Sequence, residues 1–195
     1  YIIPNITYLK GKEKRIKGVV ITHAHYDHIG GIPHLIPELG YPPMYGLPLT
    51  NAIIKKRQDD YRTAPLDIHD IKIDDKLTLG VFNLEFFHLN HNIPDSMGIS
   101  IETPWGNVVA TGDLKLDHDG GIPAEHEQKK WGEIGNDNNL FFIADSTNAE
   151  RDGFSIPEKR VHETLENIVR TVQGRLIIGT FASQFERMIR IIEIA

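Results

Sequence analysis

The hydrophobic and polar positions of the first two thirds of the chain predict a sheet-rich structure with short helices. Residues 17–22 (KGVVIT) form a β-branched apolar run that is typical of a buried strand. Helical patterns follow at residues 33–39 and, with more polar positions, at 49–61. From residue 71 to 101 the spacing changes to that of strands, and a turn at 104–107 leads into another strand, NVVATGD.

The last third predicts a separate α/β unit. Residues 139–144 (NLFFIA) have the pattern of a strand, and residues 155–158 (SIPE) predict a capping box with Pro at the first helical position. The helix that follows has one apolar stripe and ends at Gly174, and residues 175–180 predict a further strand before a final helix. This order of elements indicates that the α/β unit begins near residue 146.

Composition limits the classes of protein that the chain can belong to. With 195 residues, 40% hydrophobic and 25% charged, it is typical of a globular domain with a sizeable core. No apolar stretch approaches the ~20 residues that span a bilayer, and we expect a cytoplasmic protein. The net charge of −6 argues against a surface that coats nucleic acid, but it does not exclude a nuclease. Because the chain has no cysteine, any metal must be bound by histidine and carboxylate.

The strongest chemical signal is the string HAHYDH at residues 23–28. Residues i and i+2 project to the same side of an extended chain, so His23 and His25 can bind one ion. Asp27 and His28 follow the turn and can reach a second ion. Two ions about 3.5–4 Å apart can act on both the attacking and the leaving oxygen of a displacement.

Such a site needs ligands from elsewhere in the chain. His91 and Asp113 each follow a predicted strand, and an aspartate at that position can bridge two ions with one oxygen each. His88 remains open, since it could orient a ligand or simply pack. The remaining histidines are predicted to be ordinary surface or helix residues: His34, His69, His118, His126 and His162.

Five strings together carry a resemblance: ITHAHYDHIGG, NHNIPDSMGI, TGDLKLD, ADSTNAERDGF and GTFAS. In this order they resemble the ribonuclease J branch of the β-CASP metallo-β-lactamase nucleases. The resemblance implies an α/β fold of the metallo-β-lactamase type, an incomplete αββα sandwich over residues 1–145. Residues 146–195 would then begin a β-CASP domain.

The resemblance also assigns residues. It makes His23, His25 and His91 the ligands of one ion, Asp27 and His28 the ligands of the other, and Asp113 the bridge. Asp145 would support the site from behind, and Ser96 and Ser183 would lie along the substrate channel.

The implied reaction is the hydrolysis of RNA by hydroxide attack on phosphorus, in 5′-to-3′ exonuclease mode, endonuclease mode or both. Asp27 or Asp113 would orient or deprotonate the water, with His28 beside them among the catalytic residues. Two Zn²⁺ ions suit the ligands best and Mn²⁺ stays open. RNA would be the substrate, and the full-length enzyme would be a homo-oligomer.

The match also has departures. Ala24 and Tyr26 stand where the family usually has Gly and Glu, and Asn92 replaces the usual Ser. Further strands are expected before residue 1, and the rest of the β-CASP domain and a last metal-binding histidine after residue 195. Two alternatives therefore stay open: a hydrolase of a small lactam or thioester, and a catalytically incomplete fragment that binds RNA.

Overall fold

Two β-sheets form the centre of the computed structural model, which describes residues 2–118 and 123–195. The smaller sheet is parallel and contains, in order, β1 (Val19–Val20), β2 (Met44–Gly46) and β3 (Ile68–Asp70). The larger sheet contains β4 (Lys76–Leu79), β5 (Phe82–His88), β6 (Met97–Glu102), β7 (Asn107–Ala110) and β8 (Asn139–Ile143). Its strands are antiparallel from β4 to β7, whereas β8 joins β7 in parallel.

Six α-helices accompany the sheets in the described residues. They are α1 (Tyr26–Ile29), α2 (Ile32–Glu38), α3 (Pro48–Gln58), α4 (Glu125–Gly135), α5 (Glu158–Thr171) and α6 (Phe185–Ile194). Two short 3-10 helices, Thr7–Leu9 and Glu13–Arg15, precede β1. Every helix in this part of the chain is too short or too polar to cross a lipid bilayer.

The core consists of three apolar layers, and the side chains of β5 show how they are separated. Leu84 and Phe86 face one side, where they pack with Leu47, Ile71, Met97 and Ile99 between the two sheets. Phe87 points to the opposite face, where Trp131 and Ile134 of α4 cover it. A third cluster packs α2 and α3 on the smaller sheet through residues such as Ile36, Met44 and Ile54. The layers are therefore helix, sheet, sheet and helix, which confirms the predicted αββα architecture.

The strand β8 is unlike the other strands of its sheet. Within the described residues it pairs only with β7, and so it lies at an edge of the sheet. Four consecutive apolar residues, from Leu140 to Ile143, are between 51% and 63% exposed. The packing that encloses Phe86 and Phe87 in the middle of the sheet thus does not extend to this edge.

Two predictions for the last third were wrong. Residues 175–180 form no strand, because an extended apolar segment becomes a strand only when another strand pairs with it, and none of the described strands does. The capping box at residues 155–158 is absent. Instead α5 begins at Glu158, whose backbone N–H donates to Oδ1 of Asp117 at 2.7 Å. The cap therefore comes from a residue far away in the sequence.

The helices predicted at 33–39 and 49–61 are confirmed as α2 and α3, and the turn before β7 is confirmed as well. Gly106 in that turn has φ +131°, and a Cβ there would lie 2.7 Å from the carbonyl oxygen of Asn138. Several elements were not predicted, among them the short helix α1 and the two 3-10 helices. The strands β2 and β3 have three residues each, too few to show a period, and α4 is mostly polar apart from Trp131 and Ile134.

Candidate metal centre

The string at residues 23–28 spans the change from an extended segment to the short helix α1. Apolar side chains on both sides hold it in place, since Ile21 and Ile29 belong to the same buried cluster. A backbone hydrogen bond from Met97 N to Thr22 O, 3.1 Å long, ties the segment to β6. His23 and His25 consequently lie on extended backbone, and Asp27 and His28 lie on the helix.

Four residues form a first group that could hold a metal ion, called here the first ligand group: His23, His25, His91 and Asp113. Nδ1 of His25 lies 3.1 Å from Nε2 of His23 and 2.9 Å from Nε2 of His91. Oδ2 of Asp113 lies 3.8 Å from Nε2 of both His23 and His91. Three imidazole nitrogens and a carboxylate oxygen are a donor set that fits a four-coordinate divalent cation such as Zn²⁺.

Asp27, His28 and Asp113 form a second ligand group. Nε2 of His28 lies 3.4 Å from Oδ2 of Asp27 and 3.3 Å from Oδ2 of Asp113. The Asp113 carboxylate thus belongs to both groups. The side chain of Asp27 is 77% exposed, which leaves this group open to solvent.

Burial controls the protonation of the three histidines of the first group. It is the main cause that lowers the pKa of His23 to about 3, and the charges of His28, His91 and His25 lower it further. Burial also lowers the pKa of His25 and of His91 below the ordinary value of 6.5. These imidazoles are therefore neutral at neutral pH, so that their nitrogen lone pairs are available to a cation.

The segment that carries Asp113 has its own support. Gly112, with φ +60°, lies so close to Thr22 that a Cβ would be 3.0 Å from it. Behind the segment, Oδ2 of Asp145 accepts a hydrogen bond from Leu114 N at 3.2 Å, and Asp145 N donates to Oγ1 of Thr111 at 3.0 Å. Asp145 therefore contacts the backbone beside Asp113 rather than the ligand atoms.

Asp145 is also held in its ionised form. Burial alone would raise the pKa of its carboxyl, but the hydrogen bonds that Oδ1 accepts from Thr147 N and Oγ1, at 2.9 and 2.7 Å, together with that from Leu114 N, lower it instead. An anion fixed in this way keeps the backbone around Asp113 in one arrangement.

The other predicted site residues lie outside the two ligand groups of the described residues. Ser96 precedes β6 and is only 2% exposed, and its carbonyl accepts a hydrogen bond from Leu89 N. Ser183 is half-buried in the turn before α6. His88 has an exposed side chain, and its carbonyl accepts a hydrogen bond from Nε1 of Trp131 at 3.3 Å. The five histidines predicted to be ordinary are also outside the groups; one of them, His118, is partly buried with Nε2 at 2.7 Å from Oε2 of Glu127.

An ion-pair network beside His91 was not predicted. Lys115 Nζ lies 3.1 Å from Oδ1 of Asp117 and 3.5 Å from Oε2 of Glu158. Arg187 donates to both carboxylate oxygens of Glu158, through Nε at 2.7 Å and Nη2 at 2.8 Å. The network joins the segment after Asp113 to α5 and α6. The only sequence signal for it is the alternation of charged positions in TGDLKLD.

A cavity of about 620 Å³ opens beside the centre. The residues that line it include His91, Asp113, Asp145, residues 146–149 and Arg187. The cation ligands are thus reached from a space of the size that a nucleotide needs.

Comparison with known proteins identifies the class that the fold and the ligand groups indicate. The model of the metallo-beta-lactamase superfamily matches residues 2–159, and the chain belongs to this superfamily. A boundary between two domains at residue 145 stays a prediction.

The resemblance to ribonuclease J is confirmed over the length of the chain. The chain is 36% identical to ribonuclease J of Mycoplasma genitalium, over 100% of its own length and 34% of that protein. It is 36% identical to ribonuclease J of Thermus thermophilus, over 96% of its length and 34% of that protein. The chain therefore spans about a third of the length of these curated relatives.

A solved structure supports the fold. A protein of unknown function from Enterococcus faecalis superposes with a TM-score of 0.68 at 19% identity, over 90% of this chain and 44% of that protein.

Proposed function

We propose that the chain supplies the metal centre of a divalent-metal-dependent ribonuclease that hydrolyses phosphodiester bonds in RNA. The observation that carries the proposal is the carboxylate of Asp113, which belongs to both ligand groups in a chain that is similar to ribonuclease J. A carboxylate shared by two cation sites is the arrangement that two-metal hydrolysis of a phosphodiester needs. The activity, the RNA substrate and a homo-oligomeric state of the whole protein are proposed on the same basis.

His23, His25 and His91 would hold one cation, Asp27 and His28 would hold the other, and Asp113 would contact both. Zn²⁺ fits nitrogen-rich ligands without thiolate, and Mn²⁺ is the alternative. When bound, two such cations supply positive charge that activates water and offsets the charge of the reacting phosphate.

Side chains of the protein itself accept the proton, hold the site in place and bind the substrate. Oδ2 of Asp27, exposed at the open side of the centre, accepts a proton from the attacking water, and His28 fixes that carboxylate through its contact of 3.4 Å. The neutral imidazoles of the first group stay in place because they are buried. The cavity that reaches from Asp113 to Arg187 receives the RNA strand.

The test compares two substrates. The Zn²⁺-loaded and the Mn²⁺-loaded protein are incubated with 5′-monophosphorylated RNA and, separately, with a chromogenic lactam, while the metal content of each chain is measured by mass spectrometry. We expect RNA cleavage that stops on chelation and in His25→Ala. Turnover of the lactam with intact RNA would instead indicate a hydrolase of small substrates. RNA binding with less than one ion per chain and no cleavage would indicate a non-catalytic protein.

The mode of cleavage is read from the products. RNA labelled at its 5′ end releases mononucleotides if the protein is a 5′-to-3′ exonuclease and longer labelled fragments if it is an endonuclease. Blocking the 5′ end with a hairpin abolishes the first product and leaves the second.

A further inference from the structure

Tyr26 lies between two ligand residues, His25 and Asp27, yet its side chain points away from the ligand groups towards α3. Its ring is 63% exposed. The guanidinium carbon of Arg57 lies 4.1 Å from the centroid of the ring, and Nη2 of Arg57 donates to the Tyr26 hydroxyl at 2.8 Å. The exposed ring is therefore fixed by a cation on one side.

Two further contacts hold this arrangement. Nη2 of Arg57 also donates to the hydroxyl of Tyr61 at 3.1 Å, so that one guanidinium joins two phenols. Gly30 lies against the ring of Tyr26, where a Cβ would come within 3.0 Å of Cε1. The ring consequently has little freedom to rotate, although most of its surface is in solvent.

The charge of Arg57 is not neutralised locally. Among the described residues no carboxylate forms an ion pair with it, and its buried Nε has no hydrogen-bond partner there. The neighbouring Lys55 is exposed, whereas Lys56 pairs with Asp59 at the end of α3. An exposed tyrosine alone is unremarkable on a protein surface, but a tyrosine backed by an unpaired guanidinium beside a metal centre combines the two features that attract single-stranded nucleic acid.

We propose that the exposed face of Tyr26, backed by Arg57, is a stacking platform for a nucleobase next to the phosphate that reacts at the metal centre. The inference rests on the proposed function, because it takes RNA as the substrate. The aromatic face binds the base by stacking, and the positive charge beneath it strengthens that contact and attracts the adjoining phosphate. Stacking depends little on base identity, so the platform selects unpaired nucleotides rather than a sequence.

The test measures binding apart from cleavage. Affinity of the metal-loaded full chain for a short single-stranded RNA with phosphorothioate linkages is measured by fluorescence anisotropy, for the wild type, Tyr26→Ala, Tyr26→Phe and Arg57→Met. Loss of one stacked base is expected to raise Kd about tenfold in Tyr26→Ala. Tyr26→Phe keeps the aromatic face and should stay within about threefold of the wild type. Arg57→Met should lie between the two. Tyr8, which is 69% exposed and has no cation beside its ring among the described residues, gives the matched control Tyr8→Ala, with unchanged Kd.

An abasic scan separates stacking from a general loss of structure. One nucleotide at a time is replaced by an abasic unit. At one position this change should weaken binding to the wild type about tenfold and have no further effect on binding to Tyr26→Ala. The proposal of a stacking platform would be overturned if the wild type and Tyr26→Ala bound equally well. It would also be overturned if the losses of affinity from the abasic unit and from Tyr26→Ala added at every position.

The metal content and the cleavage of unmodified RNA are measured for each variant alongside. If the wild type cleaves RNA and Tyr26→Ala binds it equally well, only the platform is wrong. If binding depends on Tyr26 and no protein cleaves, only the proposed ribonuclease activity is wrong. If the wild type does not bind RNA, both are wrong.

Discussion

The two ligand groups of the metal centre differ in how the fold holds them. The first group has four residues, and its central residue, His23, is wholly buried. The second group has three residues, two of them on the four-residue helix α1, and Asp27 is mostly exposed. Packing therefore encloses the first group more completely than the second, which is open to solvent at Asp27. We expect the first group to bind its cation more tightly.

The largest expected effect comes from the residue that the two groups share. Asp113→Asn removes the anionic ligand from both, so RNA cleavage should fall about 1,000-fold, and both ions should be lost on dialysis. Single-turnover cleavage and mass spectrometric metal analysis measure the two effects. Asp59, an exposed carboxylate paired with Lys56, provides the control Asp59→Asn, which should behave like the wild type. If Asp113→Asn retained two ions, Asp113 would not be a ligand that both groups need.

Asp27→Asn should separate the groups. Only the second loses a ligand, so metal content should fall from two ions to one per chain, and cleavage should fall about 100-fold. The converse variant, His25→Ala, removes a ligand from the first group and should bind the remaining ion more weakly than Asp27→Asn does. The affinity of the remaining ion is measured by competition with a chromogenic chelator. If both variants retain an ion of the same affinity, the expectation that the first group binds its cation more tightly is wrong.

Asp145→Asn should have a smaller effect, since Asp145 contacts the backbone beside Asp113 and no ligand atom. We expect the metal Kd to rise about tenfold, which is typical of a residue that orients a ligand. The exposed Asp152 in the following loop gives the control Asp152→Asn. An unchanged metal affinity in Asp145→Asn would show that the segment keeps its shape without this carboxylate.

The smallest effect concerns stability. The hydrogen bond from Arg187 is the main cause that lowers the pKa of Glu158 below 4.5, and burial opposes it. A lowered pKa means that the ionised carboxylate stabilises the fold above pH 4.5 and that this contribution is lost as the pH falls through the folded-state pKa. Glu158→Gln should lower the free energy of unfolding by about 1–2 kcal/mol at pH 7, with both ions retained.

Urea denaturation between pH 3 and pH 7 measures this difference in the free energy of unfolding. The gap between the wild type and Glu158→Gln should shrink below pH 4.5, where the wild type also loses the charge. A gap of constant size would mean that the ion pair with Arg187 does not cause it.

The parts of the centre that were predicted from sequence have local signals. The spacing of His23, His25, Asp27 and His28 within six residues predicts two pairs of ligands that further residues must complete. His91 and Asp113 follow strands that the apolar pattern predicts, and the structure brings both residues to the histidines at 23–28. The ion pairs of Glu158 have no such signal, because its partners Lys115 and Arg187 lie far from it in the sequence.

In the fold, too, the elements with a local sequence pattern were predicted, and those defined by pairing with distant residues were not. The alternating patterns of β5 and β6 predicted strands because each is long enough to show a period of two. Of the parallel sheet only β1, within the strand predicted at residues 17–22, was predicted; β2 and β3 were not, since strands of three residues carry no period and are defined by their pairing. Residues 175–180 show the reverse case, a strand-like pattern for which the described residues offer no pairing strand.

The parallel pairing of β8 with β7 has a consequence for the order of folding. The strands β4 to β7 pair with their neighbours in sequence, so these contacts close small loops and are expected to form early. β8 reaches β7 only after a longer segment that includes α4 has closed. Its docking brings Asp145 against Thr111 and Leu114. We therefore expect the segment that carries Asp113 to acquire its final shape late in folding, and the candidate ligand groups to form with it.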